Sequence, residues 1–299
     1  MTDWSEGAAW IGGRVVPIAE ASIGVTDWGL VHCDITYDVA PVWDGGFFRL
    51  SDYLDRLQAS MAALRLDIGM TRGAIREALH AIVARSGLRA AYVAMVASRG
   101  VPLVPGTRDP RRCANHFYAW CVPYIRVIGS EAEASAWIAR EVRRIPADSI
   151  DPRVKNYHWG DFTRGLMEAK DRGYETVILT DHAGNIAEGP GFNVFSVREG
   201  RVVTPASGCL EGVTRRTVLE ICAEQGIATE VRTLPVAELM AADEVFISST
   251  AGGPVALTRV DERVFANGAP GPVTSLLRDR YLAWLRRPEL RDAVDYGAA

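Results

Sequence analysis

Residues 151–160 read DPRVKNYHWG, and this segment decides the interpretation of the whole chain because it carries a lysine at position 155. Lysine is rare in this protein: of 33 Lys and Arg residues, only Lys155 and Lys170 are lysines. A lysine amine can lose its proton when it is desolvated and then attack a carbonyl, whereas a guanidinium stays protonated. Lys170 fits the exposed last turn of a helix before Gly173. Lys155 is therefore either the amine of an imine-forming enzyme or one member of a buried ion pair.

Composition excludes several classes of protein. The chain has 299 residues, of which 48% are hydrophobic, enough for two domains or one large one. A net charge of −4 with scattered arginines argues against a nucleic-acid partner. We expect no membrane partner and a cytoplasmic location, since no apolar run reaches the length of a span and the start, MTDWSEG, does not resemble a signal peptide. Five cysteines without CxxC spacing favour neither a zinc site nor a disulfide framework.

Hydrophobic periodicity predicts an α/β chain with two domains. Residues 1–122 combine strand-like hairpins with two amphipathic segments and form the predicted smaller N-terminal domain. Residues 123–135 mix Pro, Gly and acidic residues, which is typical of an interdomain linker. Residues 136–299 form the predicted larger C-terminal domain.

Two local patterns flank the lysine segment. Before it, Trp137–Arg144 has the composition of a strand that leads into the segment. After it, Asp161 is placed to cap a helix that begins at Phe162. Both patterns place the lysine on a connection between regular elements.

If Lys155 forms an imine, pyridoxal 5'-phosphate (PLP) is the natural cofactor, and it requires a phosphate site. Gly212–Thr214 opens a helix whose backbone N–H groups would favour an anion. Ser249–Gly253 is a small, hydroxyl-rich loop that would let the backbone approach a ligand closely. Arg56, in an amphipathic helix, could supply a permanent positive charge. Each of these features also occurs in proteins that bind no phosphate.

PLP also requires an acid beside its pyridine nitrogen. Glu188 is the candidate, within the sequence IAEGPGFN at residues 186–193. A carboxylate at this place keeps the nitrogen protonated, so the ring withdraws electrons from the substrate carbon. The alternative is a solvated loop acid, since the flanking Gly-Pro-Gly shows only that the backbone turns sharply.

These motifs coincide with a known family. The chain resembles the class IV, fold-type IV PLP-dependent aminotransferases, which include branched-chain and D-amino acid aminotransferases and aminodeoxychorismate lyase. It is most similar to the (R)-selective amine transaminases. The resemblance rests on IDPRVKNYHWGD, AEGPGFNVF, LEGVTRRTV and SSTAGGP, on GAAWIGG and DITYDVAPVWDGGFFRL with RLQAS near the start, and on GPVT near the end. It covers nearly the whole chain in order.

The resemblance implies a two-domain α/β fold with the cofactor at the domain interface, and a homodimer whose active sites include loops of the partner. It implies that Lys155 forms the imine with PLP and carries the proton, and that Glu188 faces the pyridine nitrogen. The residues implied to bind the cofactor are Arg56, Lys155, Glu188, Val213, Thr214, Ser249 and Thr250.

For the substrate, the resemblance implies that His32 and Tyr37 line the pocket, although both could simply pack at the end of a strand. The position at which some amine transaminases keep a carboxylate-binding arginine is Pro105 here. Arg108 is close by and matches an arginine of other members, so it could bind the carboxylate of a keto acid, or be an ordinary surface arginine. Tyr157 could approach the phenolic oxygen of the cofactor, where the related enzymes usually have an apolar residue. For His158 we predict a structural role.

The expected activity is therefore transfer of an amino group from an amine, of (R) configuration, to a keto acid such as pyruvate by double displacement. Three alternatives stay open at this point. They are a branched-chain or D-amino acid aminotransferase, a lyase of the aminodeoxychorismate type, and a protein that binds PLP without catalysing a reaction.

Overall fold

Alternating strands and helices build the protein, for which a computed structural model describes residues 4–128 and 133–297. The strands are β1 Ala8–Ile11, β2 Arg14–Pro17, β3 Ile35–Trp43, β4 Gly46–Phe48, β5 Ala91–Pro102, β6 Cys113–Pro123, β7 Glu133–Ile138, β8 Thr176–Thr180, β9 Ile186–Gly189, β10 Phe192–Arg198, β11 Arg201–Pro205, β12 Thr229–Arg232, β13 Glu244–Ser249, β14 Gly253–Val260, β15 Arg263–Val264 and β16 Arg291–Ala293. The helices are α1 Trp28–Val31, α2 Leu50–Leu64, α3 Arg72–Ser86, α4 Gly160–Asp171, α5 Val213–Glu224, α6 Val236–Met240 and α7 Pro272–Trp284.

Two compact units share these elements. The described part of the first unit comprises residues 4–125, 154–158 and 285–297, and the second unit holds the remainder. The lysine segment therefore belongs to the first unit although residues on both sides of it belong to the second. The predicted boundaries at 122/123 and 135/136 stay a prediction, and residues 129–132 of the predicted linker lie outside the described residues.

A seven-stranded antiparallel sheet forms the frame of the first unit, with the strand order β16-β4-β3-β5-β6-β1-β2. The hairpin β1–β2 turns at Gly12 and Gly13, both at positive φ, as their glycine identity predicts. Helix α3 starts at the capping hydroxyl of Thr71 and ends at Gly87 in the left-handed conformation. The turn of this hairpin and both ends of α3 are thus set by local signals in the sequence.

In the second unit the strands follow the order β12-β11-β10-β13-β14-β7-β8-β9, and β9 also pairs with β10. This extra pairing closes six of the strands into a ring. Alternate residues of these strands, among them Val194 and Ile247, belong to one buried apolar cluster, as expected for the interior of a closed sheet. The intervening residues face the other side, where Leu179 packs with Phe162 of α4.

Two local predictions around the lysine segment are wrong. Strand β7 ends at Ile138, so the residues up to Arg144 form an irregular connection. Helix α4 begins at Gly160 rather than Phe162, and Asp161 lies inside its first turn. Asp161 is buried and its carboxylate accepts from Arg144, because a tertiary partner was available that local periodicity does not reveal.

No helix of residues 4–128 or 133–297 combines the length and apolarity that crossing a membrane requires.

Candidate active site

Lys155 lies at the edge of β3 in the first unit. Strand β4 pairs only with the far end of β3, and the lysine segment adds to the near end through a bridge between Thr36 and Asn156. The carbonyl oxygen of Lys155 accepts from the Thr36 hydroxyl at 2.7 Å and from the Tyr37 backbone N–H at 3.2 Å. These bonds fix the lysine backbone on the sheet and leave the side chain to extend from its edge.

A cluster of aromatic side chains lies next to the lysine amine. The Nζ atom of Lys155 lies 4.4 Å from the centroid of the Tyr37 ring, which is itself 4.4 Å from the ring of Tyr157. Tyr92 and Tyr118, from the neighbouring strands, pack against the same cluster. Burial raises the pKa of Tyr118 to about 12 and raises the pKa values of Tyr92 and Tyr157 further. These three phenols therefore stay neutral. The face of the sheet that they cover is apolar except for the hydroxyl groups at the ends of the rings.

The opposite face of β3 carries an ion pair. Asp38 is fully buried, and its carboxylate accepts from Arg56 Nε at 2.8 Å and from Arg56 Nη2 at 2.7 Å. Burial on its own would lower the pKa of Arg56, but the charge of Asp38 outweighs it and raises that pKa. The guanidinium is thus held as a permanent cation in one orientation.

Glu188 lies on β9 in the second unit and is 5% exposed, so it is not a solvated loop acid. Its Oε1 atom accepts from Arg144 Nε at 3.0 Å and its Oε2 atom accepts from the Leu210 backbone N–H at 2.9 Å. Asn193, directly across from Glu188 on β10, donates to the Leu210 carbonyl at 2.7 Å. The two side chains together hold the segment before α5 against the sheet.

That segment ends at Gly212, the residue before α5, where a side chain would not fit. A Cβ atom at Gly212 would lie 2.2 Å from the Oδ1 atom of Asn193. Because the residue at the N-cap is glycine, no N-cap side chain accepts a hydrogen bond from the first backbone N–H groups of α5. Thr214 is 3% exposed, and its hydroxyl has no hydrogen-bond partner among the described residues. A helix N-terminus with an unpaired buried hydroxyl suits an anion with several acceptor oxygens.

The end of β13 and the loop after it supply further hydroxyl groups. Ser249 donates to the Gly191 carbonyl at 2.8 Å and accepts from the Ala251 N–H, so its hydroxyl stabilises the loop itself. Its neighbour Ser248 is 2% exposed, and its hydroxyl lacks a partner within the described part of the chain. Ser248 pairs in register with Asn193, which in turn pairs with Glu188. One row across three strands therefore carries these polar side chains on one face, and Thr250, two residues after Ser248 in the chain, is half-buried.

The remaining predicted residues are more exposed. His32 ends α1, is exposed, and packs 4.5 Å from the Trp28 ring. Arg108 is exposed on the connection after β5, as is Pro105. His158 is half-buried, and its backbone N–H donates to Asn156 Oδ1. The pocket roles of His32 and Arg108, and the structural role of His158, stay predictions.

The chain is similar in sequence to known proteins. The model of the family described as "Amino-transferase class IV" matches residues 36–260. The chain belongs to this family. A protein of Methanocaldococcus jannaschii, provisionally named a branched-chain-amino-acid aminotransferase, is 30% identical over 275 residues, which cover 91% of this chain and 94% of that protein. A D-alanine aminotransferase of Listeria monocytogenes is 26% identical over 288 residues, covering 93% and 96%.

Solved structures agree with this assignment. The branched-chain amino acid aminotransferase of Thermobaculum terrenum in its PLP-bound holo form has a TM-score of 0.86 and 27% identity, covering 97% of this chain and 99% of that one. The predicted fold-type IV architecture is confirmed, and so is the prediction of a PLP-dependent aminotransferase.

The residues of this class IV aminotransferase fit the cofactor. The unpaired hydroxyl of Thr214, the N-terminus of α5 and the space kept by Gly212 suit its phosphate. Lys155 offers an amine on an apolar face, and Glu188 offers a buried carboxylate. When bound, the cofactor supplies a carbonyl that takes up an amino group and a ring that withdraws electrons from the substrate carbon.

The residues that hold the predicted groups were not found from the sequence. They are Thr36, Asp38, Arg144 and Asn193, together with Asp161, for which the sequence pattern indicated only a helix cap. Asp38 and Thr36 lie in an alternating strand pattern that gives no reason to single them out, and Arg144 is one of many arginines. The register of strands, which places Ser248 and Asn193 in one row with Glu188, is a property of the folded sheet.

Proposed function

We propose that this class IV aminotransferase transfers the amino group of an apolar amine, of (R) configuration, to a small keto acid such as pyruvate. The observation that carries the proposal is the aromatic face beside Lys155, in which the Tyr37 ring lies next to the amine and the Tyr157 ring lies next to Tyr37. The neutral rings favour an alkyl or aryl substituent on the reacting carbon over a carboxylate. The (R) configuration rests on the similarity of the KNYHWGD segment to the (R)-selective amine transaminases.

In this proposal Lys155 carries the cofactor and moves the proton at the substrate carbon, and the Thr36 hydroxyl keeps its backbone in place. Arg56 binds phosphate from a position set by Asp38, together with Val213, Thr214, Ser249 and Thr250. Glu188 holds the proton on the pyridine nitrogen.

The keto acid brings a carboxylate that the aromatic face does not match. Arg108, exposed on the connection after β5 in the same unit as Lys155, is the cation that we assign to it. An exposed position lets the side chain pair with a carboxylate in one half of the reaction and withdraw in the other. The Arg108→Ala variant should raise KM for pyruvate more than it raises KM for the amine.

Replacement of Lys155 tests the catalytic core of the proposal. Lys155→Ala should abolish turnover and the absorbance of covalently attached cofactor, because the variant loses the amine that attacks the cofactor carbonyl. Lys170→Ala is the matched control, since the chain has only these two lysines and Lys170 is exposed in the last turn of α4. Turnover that survives in Lys155→Ala would remove the assignment.

A second candidate function is transamination of branched-chain or D-amino acids. The relatives named above favour it, because they are named as branched-chain and D-alanine aminotransferases. A half-reaction screen distinguishes the candidates by following the cofactor absorbance with (R)- and (S)-1-phenylethylamine, D-alanine, L-leucine and L-glutamate. Reaction with the (R)-amine supports the first candidate. Reaction with L-amino acids alone refutes it and supports a branched-chain enzyme.

Assembly into a homodimer is part of the proposal. Apolar side chains are exposed in and before α1 and after β5, where Val25 is 81%, Leu30 62% and Leu103 67% exposed. Exposed apolar residues of this kind are typical of a surface that another subunit covers. Light scattering on the purified protein should give twice the chain mass of 32.6 kDa, and the mass of a single chain would contradict the dimer.

A further inference from the structure

A buried network of three charged side chains stands behind Glu188 in the second unit. Arg144 lies between two carboxylates: its Nε atom donates to Glu188 Oε1 at 3.0 Å and its Nη1 atom donates to Asp161 Oδ2 at 2.5 Å. The side chains of Arg144, Asp161 and Glu188 are 8%, 5% and 7% exposed. Removing three charged groups from water is costly, so each charge in the network must be compensated by the opposite charge of its neighbours.

Arg144 is held from a third direction as well. Its guanidinium carbon lies 4.2 Å from the centroid of the Phe162 ring, next to Asp161 in α4. Asp161 is fixed in turn, because its Oδ2 atom also accepts from the Ile145 backbone N–H at 2.9 Å. A planar guanidinium can serve two carboxylates and a ring at once, whereas an ammonium is a point charge that cannot match this geometry.

The charge state of Glu188 follows from the groups around it. Arg144 and the Leu210 backbone both donate to the carboxylate, which favours the ionised form. Burial on its own would lower the pKa of Arg144, but the charges of Glu188 and Asp161 outweigh it and raise that pKa. The pKa of the nearby Cys209 thiol rises to about 12, first through burial and then through the negative charge of Glu188.

We propose that Arg144, anchored by Asp161 and Phe162, is a positioning residue that keeps the Glu188 carboxylate ionised and in one orientation. This is what allows Glu188 to hold the proton on the pyridine nitrogen, so the inference rests on the role proposed for Glu188. Without Arg144, the two buried carboxylates lose the cation that bonds to both of them, and Glu188 takes up a proton itself.

The test compares Arg144→Gln, Glu188→Gln and the double variant. Two readouts besides activity are measured: the absorbance maximum of the bound cofactor at fixed pH, and the dissociation constant for PLP titrated onto the full-length cofactor-free protein. Arg144→Gln should shift the absorbance in the same direction as Glu188→Gln and weaken PLP binding about tenfold. Because Arg144 acts through Glu188, adding Arg144→Gln to Glu188→Gln should change neither readout further.

Three further variants separate positioning from folding. Asp161→Asn removes the charge that anchors Arg144 but keeps the Arg144–Glu188 contact, so it should shift the absorbance in the same direction as Arg144→Gln and by less. Arg144→Lys keeps the charge and should fall between wild type and Arg144→Gln. Arg140→Gln is the matched control. Arg140 lies on the same connection as Arg144 and forms an ion pair with Asp261, but it does not contact Glu188. If Arg144→Gln fails to fold, the balanced variant Arg144→Gln/Asp161→Asn carries the same test.

The outcomes divide cleanly between the inference and the role on which it rests. If Glu188→Gln leaves both readouts unchanged, the role proposed for Glu188 is wrong. If Glu188→Gln changes them and Arg144→Gln does not, or if the two changes add in the double variant, the positioning role of Arg144 is wrong.

Discussion

Breaking the buried ion pair between Asp38 and Arg56 should strongly destabilise the first unit. The Asp38 side chain is 0% exposed and accepts two charge-assisted hydrogen bonds, while Arg56 keeps 13% exposure. Removing one partner of a buried pair costs about 3–5 kcal/mol, because the other charge stays buried without compensation. Asp38→Asn keeps the volume and one acceptor oxygen, so we expect the lower end, a loss of about 3 kcal/mol in the free energy of unfolding.

The assay is urea unfolding of the cofactor-free protein, with Asp55→Asn as control. Asp55 lies on α2, like Arg56, and forms an ion pair with Arg72 of α3. Its side chain is 66% exposed, so Asp55→Asn should lower the free energy of unfolding by only about 0.5 kcal/mol. Asp38→Asn should also weaken PLP binding, since Arg56 would no longer be held for the phosphate. Equal effects of the two variants on unfolding, or a loss below about 1 kcal/mol in Asp38→Asn, would refute the reasoning from burial.

Further predictions address the cofactor cradle, the lysine anchor and pH dependence. Gly212→Ala should destabilise the protein by about 1–3 kcal/mol and weaken PLP binding in a titration, because its Cβ atom would meet Asn193; unchanged affinity would show that the loop moves aside. Thr36→Val should cost about 1 kcal/mol in urea unfolding and slow recovery of cofactor absorbance, because the carbonyl of Lys155 loses a donor; recovery at the wild-type rate would contradict the anchoring role. Glu168 is buried in the folded protein, which would raise its pKa, but an indole N–H and two backbone N–H groups outweigh this and lower that pKa. Its contribution is therefore complete above the unfolded pKa of 4.5 and disappears as pH falls through the lower folded pKa. Glu168→Gln should be less stable than wild type by about 2 kcal/mol at pH 7, and this difference should shrink in acid; a difference independent of pH would contradict it.

Local signals in the chain predict much of the fold. The strand-like hairpins and the two amphipathic segments expected within residues 1–122 are present, as the hairpins β1–β2 and β3–β4 and the helices α2 and α3. These features depend on neighbours within a few residues, so a contiguous stretch contains the information. The cap predicted at Asp161 failed because a buried arginine competes for the same carboxylate.

The candidate site divides in the same way. Lys155 and Glu188 can be singled out from residue chemistry and from contiguous motifs. Their supports are distant in the chain: Thr36 is 119 residues from Lys155, and Arg144 is 44 residues from Glu188. No periodicity connects such pairs, because strand register and loop packing choose the partner of a buried polar group.

The sequence by itself determined the family and the cofactor, and it singled out Lys155 and Glu188 as the proposed reacting groups, because the motifs that carry them are contiguous. Only the tertiary structure decided how those groups are held and charged. A carboxylate such as Glu188 acquires its charge state from the donors that surround it after folding, and Arg56 acquires its orientation from Asp38. In the function proposed above, the choice of substrate depends on the aromatic face that β3, β5 and β6 assemble beside the lysine amine.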